Sequence, residues 1–261
     1  MRTNIVIYFK CFLLIILGCD TTSPNNDEPG LYGVVKDEKG NTISGVEVYL
    51  VYDILSEMEF TLGDGYYKYY ENSTYSQTIV DTLFQNFPNP FNKSTSIRCN
   101  LSERSNVRIN IKDYLTDDII YTLVDEELLP GRYIFTLASE INNVILNNGL
   151  FKIQVEYYRD GEIVFEDYVK ACIIEFDFDD ISKTVHNDIS DNNGRFRIPY
   201  NSIPFGVQFN RTSSIGPDII GNYVIDNTVI LILMKDSYLN LVKRVTFNSE
   251  NPITEEFIMK K

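Results

Sequence analysis

Side chains along most of this chain alternate with a period of two. Val46, Val48 and Leu50 are separated by Glu47 and Tyr49, and Val107, Ile109 and Ile111 by Arg108 and Asn110, with Lys112 next. Phe196 and Ile198 flank Arg197. A strand points successive side chains to opposite faces, so this pattern specifies half-buried strands. A helix needs apolar residues three and four apart, and that spacing is almost absent. Clusters of Gly, Asn and Asp break the runs, and Asp160-Gly161 between two apolar runs is a hairpin signal. Residues 229–234 are apolar without interruption, which predicts a strand covered on both faces. The expectation is an all-β chain built from β-sandwiches.

The 261 residues, 44% of them apolar, are enough for two modest cores after removal of a leader. The net charge of −14 disfavours phosphate backbones and anionic headgroups, so nucleic acid is excluded as an expected partner. Arg2 and Lys10 are the only charges before Asp20, and the apolar run 11–17 is too short to span a bilayer. It reads as the core of a secretory signal. The run ends in Ile16-Leu17-Gly18-Cys19, which resembles the lipobox of bacterial lipoproteins. The resemblance implies cleavage after residue 18 and a lipid on the Cys19 sulfur. It also implies membrane attachment through that lipid and a place in the cell envelope, expected at the outer membrane. Residues 19–30 then form a polar tether. Removing Arg2 and Lys10 with the leader leaves 21 basic residues against 37 acidic ones.

Two cysteines remain, Cys99 in "SIRCNL" and Cys172 in "VKACIIEF", both in strand-like runs. Export permits a disulfide between them. The other reading is two buried thiols acting as small hydrophobes.

The stretch "GVVKDEKGNTISGVEVYL", residues 33–50, reads as strand, turn and strand. It resembles the opening of carboxypeptidase regulatory-like domains, which are transthyretin-like sandwiches. Gly33, Val35, Asp37, Gly40, Ile43, Gly45, Val46, Val48 and Leu50 carry the likeness, and Thr42 stands where that family often has Pro. The family's next landmark appears as "SDNNGRFRI", with Ser190, Asp191, Gly194 and Phe196 in place, but about half the chain intervenes. Two strands alone cannot bury both faces. One sandwich formed by 31–52 and 186–261, interrupted by an insertion, is therefore expected. The segment "IPFGVQFNRTSSIGPDIIGNYVIDN" is longer than the family's loop and strand.

Within the insertion, "LFQNFPNPFNKSTSIR" starts at Leu83. It resembles the start of the Ig-like type A sorting domains of type IX secretion, and of flagellar hook-capping Ig-like domains. Gln85, Asn86, Phe87, Pro88, Asn89, Pro90, Phe91, Asn92, Ser94, Thr95 and Ile97 fit, and Lys93 replaces a Pro. Residues 83–176 are expected to form this Ig-like sandwich. Residues 53–82 would be a partly extended lead-in and 177–185 an acidic return linker. In "FPNPFN", Pro88 and Pro90 forbid helix, Asn89 and Asn92 can cap their own turns, and Phe87 and Phe91 can anchor the segment. In the sorting family this stretch opens a C-terminal export tag. In the middle of a chain it reads as a structural corner.

Chemistry-bearing residues are few. The single His, His186, sits where the insertion would return to the host sandwich, and no nucleophile elbow, HExxH or phosphate loop is present. Glu175, Asp177, Asp179 and Asp180 are close in sequence but lack a calcium-loop spacing. They read as a solvated linker. Tyr66, Tyr67, Tyr69 and Tyr70, with Tyr75 nearby, could form a flat binding platform or cover a neighbouring sheet. No metal or other cofactor is expected, and the chain is read as a non-enzyme. The leading expectation is a lipid-anchored structural or protein-interaction module of the envelope. The alternative is a carbohydrate-binding accessory lipoprotein that uses the tyrosines. A hydrolase with a carboxylate pair is a third class.

Overall fold

The computed structural model describes residues 28–53, 69–71, 79–142, 144–174, 186–213 and 216–261. Among them there is no α-helix, and the one helical turn is a 3-10 turn at Tyr200–Ser202. The chain begins with β1 (Gly30–Asp37) and β2 (Glu47–Tyr52). Ten strands follow before residue 174: β3 (Tyr69–Glu71), β4 (Thr82–Leu83), β5 (Ser94–Leu101), β6 (Ser105–Asp113), β7 (Ile119–Leu128), β8 (Gly131–Ala138), β9 (Glu140–Ile141), β10 (Val144–Ile145), β11 (Gly149–Arg159) and β12 (Glu162–Ile173). The rest are β13 (Asp188–Ile189), β14 (Arg195–Pro199), β15 (Gln208–Thr212), β16 (Ile219–Val224), β17 (Thr228–Met234), β18 (Leu241–Thr246) and β19 (Ile253–Met259).

The first two strands pair only with strands from the end of the chain. β1 lies between β14 and β19, antiparallel to the former and parallel to the latter. β2 lies between β13 and β17, with β18 beyond. These two sheets face each other across one apolar cluster that includes Leu31, Val35, Val48, Phe196, Leu231 and Phe257. Eight of the strands between them build two other sheets, β3-β8-β5-β4 and β12-β11-β6-β7, around a second cluster with Ile97, Ile109, Phe135, Ile153 and Tyr157, while β9 and β10 form a two-stranded ribbon. The molecule is thus all-β, with one sandwich inserted into the other. Within the insert, β3 and the Thr82 end of β4 extend a sheet with residues that precede Leu83.

The local chemistry explains the strand ends. Asp37 Oδ1 accepts the N–H groups of Lys39 (2.9 Å) and Asn41 (2.8 Å), and Asn41 Nδ2 donates to Asp37 Oδ2 at 3.0 Å. The Asn41 amide holds the Asp37 carboxyl below its usual range. Asp191 does the same in the later turn, accepting from the N–H groups of Asn193 and Arg195, each at 2.8 Å. The two turns meet where the Val35 N–H donates to Gly194 O at 2.8 Å. A Cβ on Gly194, at φ +72°, would lie 2.5 Å from Val35 O, and one on Gly33 would lie 2.1 Å from the Phe196 ring. These glycines therefore let two segments that are distant in sequence close on each other. Asp160 and Gly161 have φ of 53° and 85°, the two left-handed residues of a type I′ turn joining β11 to β12. β17 is central in its sheet. Val229, Leu231 and Leu233 are fully buried and Ile232, on the opposite face, is covered too.

Candidate functional site

The segment that follows Leu83 lies where the two sandwiches meet. Asn89 is fully buried, and its bonds are long-range. Its Nδ2 donates to Lys170 O at 2.9 Å and to Asn210 O at 2.6 Å, while its Oδ1 accepts the Cys172 N–H at 2.8 Å. Its carbonyl accepts the Thr212 N–H at 2.9 Å. Lys170 and Cys172 belong to the insert and Asn210 and Thr212 to β15, so one amide joins both sandwiches. Two neighbours extend the network. Gln85 Nε2 donates to Lys170 O at 3.0 Å, Asn210 Nδ2 donates to Gln85 Oε1 at 3.0 Å, and Thr212 Oγ1 donates to Asn86 O at 2.8 Å. Asn86, also fully buried, donates to Thr95 Oγ1 at 3.0 Å. A buried polar group is tolerable only when bonded, and this cluster meets that condition with partners from both sandwiches.

The expected local caps hold for only one asparagine. Asn92 Oδ1 accepts the next N–H, from Lys93, at 2.8 Å, but Asn89 serves distant backbone instead. Phe91 is fully buried in the insert core, with its N–H on Cys172 O (3.0 Å) and its carbonyl on Ile174 N–H (2.9 Å). Phe87 is only half-buried and pairs its backbone with Ser96. The peptide bonds preceding Pro88 and Pro90 are cis. The partner segment Asn210–Thr212 comes from the over-long "IPFGVQFNRTSSIGPDIIGNYVIDN". Its extra length forms the β15–β16 ribbon that reaches the insert.

Beside this network the sandwiches share a wall. Leu150 and Cys172 are register partners on β11 and β12, and both belong to the host cluster, as does Ile174. Phe151 and Ala171, one residue along, belong to the insert cluster, as does Ile173. Strand alternation thus gives each core one face of the same two strands.

That alternation overturns a disulfide between Cys99 and Cys172. Both are free and buried, Cys99 in the insert core and Cys172 in the host core. Their side chains serve different clusters, so the strands cannot bring the sulfurs together. Burial raises the Cys99 thiol to about 11 and pushes Cys172 up as well. Both thiols stay protonated and shielded at pH 8. Carboxymethylation at that pH, read by peptide mapping, should leave residues 99 and 172 unmodified until denaturant is added. Fast native labelling at either would contradict their burial. The sign for stability follows. The unfolded thiols ionise at lower pH, so this contribution is complete below about pH 8.5 and is lost as pH rises through the folded values.

The face of β11 and β12 that buries Leu150 and Cys172 against the host continues into a basic row. Lys112, Lys152 and Lys170 are directly opposite one another on β6, β11 and β12. Asp117 Oδ1 is 2.8 Å from Lys152 Nζ and its Oδ2 is 3.4 Å from Lys112 Nζ, while Lys170 Nζ donates to Gln208 O at 2.8 Å. The Lys152 ammonium also lies 5.5 Å from the Tyr114 ring centre and 5.7 Å from that of Tyr168, and Lys170 lies 5.6 Å from Tyr114. The bond to Lys152 holds the Asp117 carboxyl below its usual range, and the same bond raises Lys152. Sequence reading missed this row. Its signal was present in the outward positions of three alternating strands, but register is not visible in one sequence.

Other expected residues fall elsewhere. Cys19, Tyr66, Tyr67, Tyr75, Glu175, Asp177, Asp179 and Asp180 lie outside the described residues. Tyr69 and Tyr70 sit on the short edge strand β3, opposite Ile134 and Tyr133, and their side chains lie outside the description. His186 is half-buried with its ring edge-on to Tyr49, 6.5 Å between centres, and the next residue, Asn187, accepts the Leu50 N–H at 2.7 Å. A cleft of about 390 Å³ opens at the junction between Tyr52, Asp113, Leu115, Asn148, Asn187 and Ser202, and Asp113 is the one ionisable carboxylate along it. An open cleft of about 720 Å³ at the far end of the insert has Glu103 and Glu127 in ion pairs with Arg159 and Arg104. Among the described residues no three His, Cys, Asp or Glu side chains converge as metal ligands would, and no helix is long and apolar enough to cross a membrane. No protein-family model and no curated protein matches the chain.

Proposed function

We propose that this chain is a non-enzymatic, lipid-anchored protein of the cell envelope whose two sandwiches act as one rigid structural or interaction module. The observation that carries the reading is the Asn89 network. A hinge between domains is normally wet and loosely packed. Here a fully buried amide bonds to backbone on both sides, and the cores share β11 and β12. This arrangement supports a structural role for "FPNPFN". A recognition element for export needs an accessible motif, and Asn86, Asn89 and Phe91 are fully buried. On this reading the host sandwich is of the carboxypeptidase regulatory-like kind and the insert of the Ig-like sorting kind. The lipobox-like Cys19 supplies the route to the membrane. Cys19→Ser tests the anchor. In fractionated cells the variant should move from the membrane to the soluble fraction, and unchanged membrane retention would refute lipid attachment at that residue.

A further inference from the structure

We infer that the row Lys112, Lys152 and Lys170, with Tyr114 and Tyr168, is a binding site for a carboxylate-bearing glycan. Three cations placed directly opposite one another on neighbouring strands, about 4.8 Å apart, repel one another and weaken the sheet. Among the described residues every other ion pair gives each cation at least one carboxylate of its own. Examples are Arg104 with Glu127, Arg108 with Asp125 and Lys243 with Glu255. In this row one carboxylate, Asp117, serves two lysines, and the third bonds to a neutral carbonyl. Each ammonium has three donors, so the row keeps donors and positive charge in reserve on a chain of net charge −14. Such a row attracts an anion of matching spacing, and Glu156 and Glu166, on the same strand face four residues from Lys152 and Lys170, bound it at one end.

The rings indicate the class of anion. Tyr168 is 51% exposed, and Lys152 lies between it and Tyr114. A half-exposed phenol offers an apolar face for a sugar ring and a hydroxyl for its polar edge. The lysines are recessed, with Lys112 15% and Lys152 24% exposed, and Lys170 is tied down to Gln208. A flat anionic membrane is met by protruding, mobile basic side chains. Recessed ammonium groups beside rings fit a narrow polymer that lies across the strands. The inference deepens the interaction role proposed above and rests on it for the module's purpose. It does not depend on the lipid anchor.

The test uses the full chain carrying Cys19→Ser, run in native affinity gels containing polygalacturonate. Controls are fully methyl-esterified polygalacturonate, dextran, polyglutamate and phosphatidylglycerol vesicles. The expected result is retardation by polygalacturonate alone, reversed by salt. Lys152→Gln should weaken it about tenfold or more, and Lys152→Arg should largely preserve it. Tyr168→Ala, at a position 51% exposed, should also weaken it while melting at the parent's temperature. Equal melting temperatures for the Lys152 variants separate loss of binding from loss of fold. Absence of retardation would overturn the inference, as would equal binding to polyglutamate or vesicles, or undiminished binding by Lys152→Gln. Those outcomes are distinct from membrane retention of Cys19→Ser, which bears on the anchor alone.

Discussion

Asn89→Ala should split thermal unfolding into two transitions and lower the stability of the junction by about 3–5 kcal/mol, because it strands buried partners on both sandwiches. The Asn210 carbonyl and the Cys172 N–H would lose the side chain they bond, while the Lys170 carbonyl would keep Gln85. Each orphaned buried group costs its desolvation. Asn89→Asp is a sharper version, because it keeps the acceptor for Cys172 but turns a carboxylate oxygen toward two carbonyl oxygens. It should destabilise at least as much. Asn92→Ala, which loses one bond to the adjacent residue, is the control and should change stability by less than about 1 kcal/mol. Calorimetry reads all three. A single transition for Asn89→Ala, within a degree or two of the parent, would mean that the network does not couple the sandwiches.

Leu150→Ala and Phe151→Ala, adjacent in sequence, should loosen different sandwiches. Leu150 packs in the host cluster and Phe151 in the insert cluster. Truncating a buried Leu costs about 2–5 kcal/mol and a buried Phe about 3–5 kcal/mol. Hydrogen exchange locates the loss. Leu150→Ala should speed exchange most in β2 and β17, whose Val48 and Leu231 share its cluster. Phe151→Ala should do so in β5 and β8, whose Ile97 and Phe135 share the other. The same exchange pattern for both variants would contradict the shared wall. The comparison also bears on excision of the insert. Removing it would strip Leu150, Cys172 and Ile174 from the host core, so the host sandwich is not independent of its guest.

The all-β class could be read from the sequence because period-two alternation is a local property. The turns at Asp37, Asp160-Gly161 and Asp191 could be read for the same reason, since each is closed by residues within four positions of one another. What the sequence hid depends on which strands become neighbours. Cys99 and Cys172 both occupy strand-like runs, but only the two clusters reveal that they serve different cores. Asn89 resembles any turn asparagine until β15 arrives beside it. The lysine row is three unremarkable residues on three strands until the register sets them in line. Tyr69 and Tyr70, which could form a platform or cover a neighbouring sheet, stand on β3 beside β8. The rings beside the row, Tyr114 and Tyr168, are far apart in sequence and meet at Lys152 only through the register.

The pairing of β1 and β2 with the last strands has a consequence in time. Synthesis runs from the N-terminus, so Gly30–Tyr52 is made before any strand that will pair with it. The insert is contiguous and can close on itself as it emerges. The host sheet cannot close until β19 is complete. Until then the edges of β1 and β2, with Leu31, Val35, Val48 and Val51 among their apolar residues, remain unpaired. The strands made first are thus among the last to find their partners.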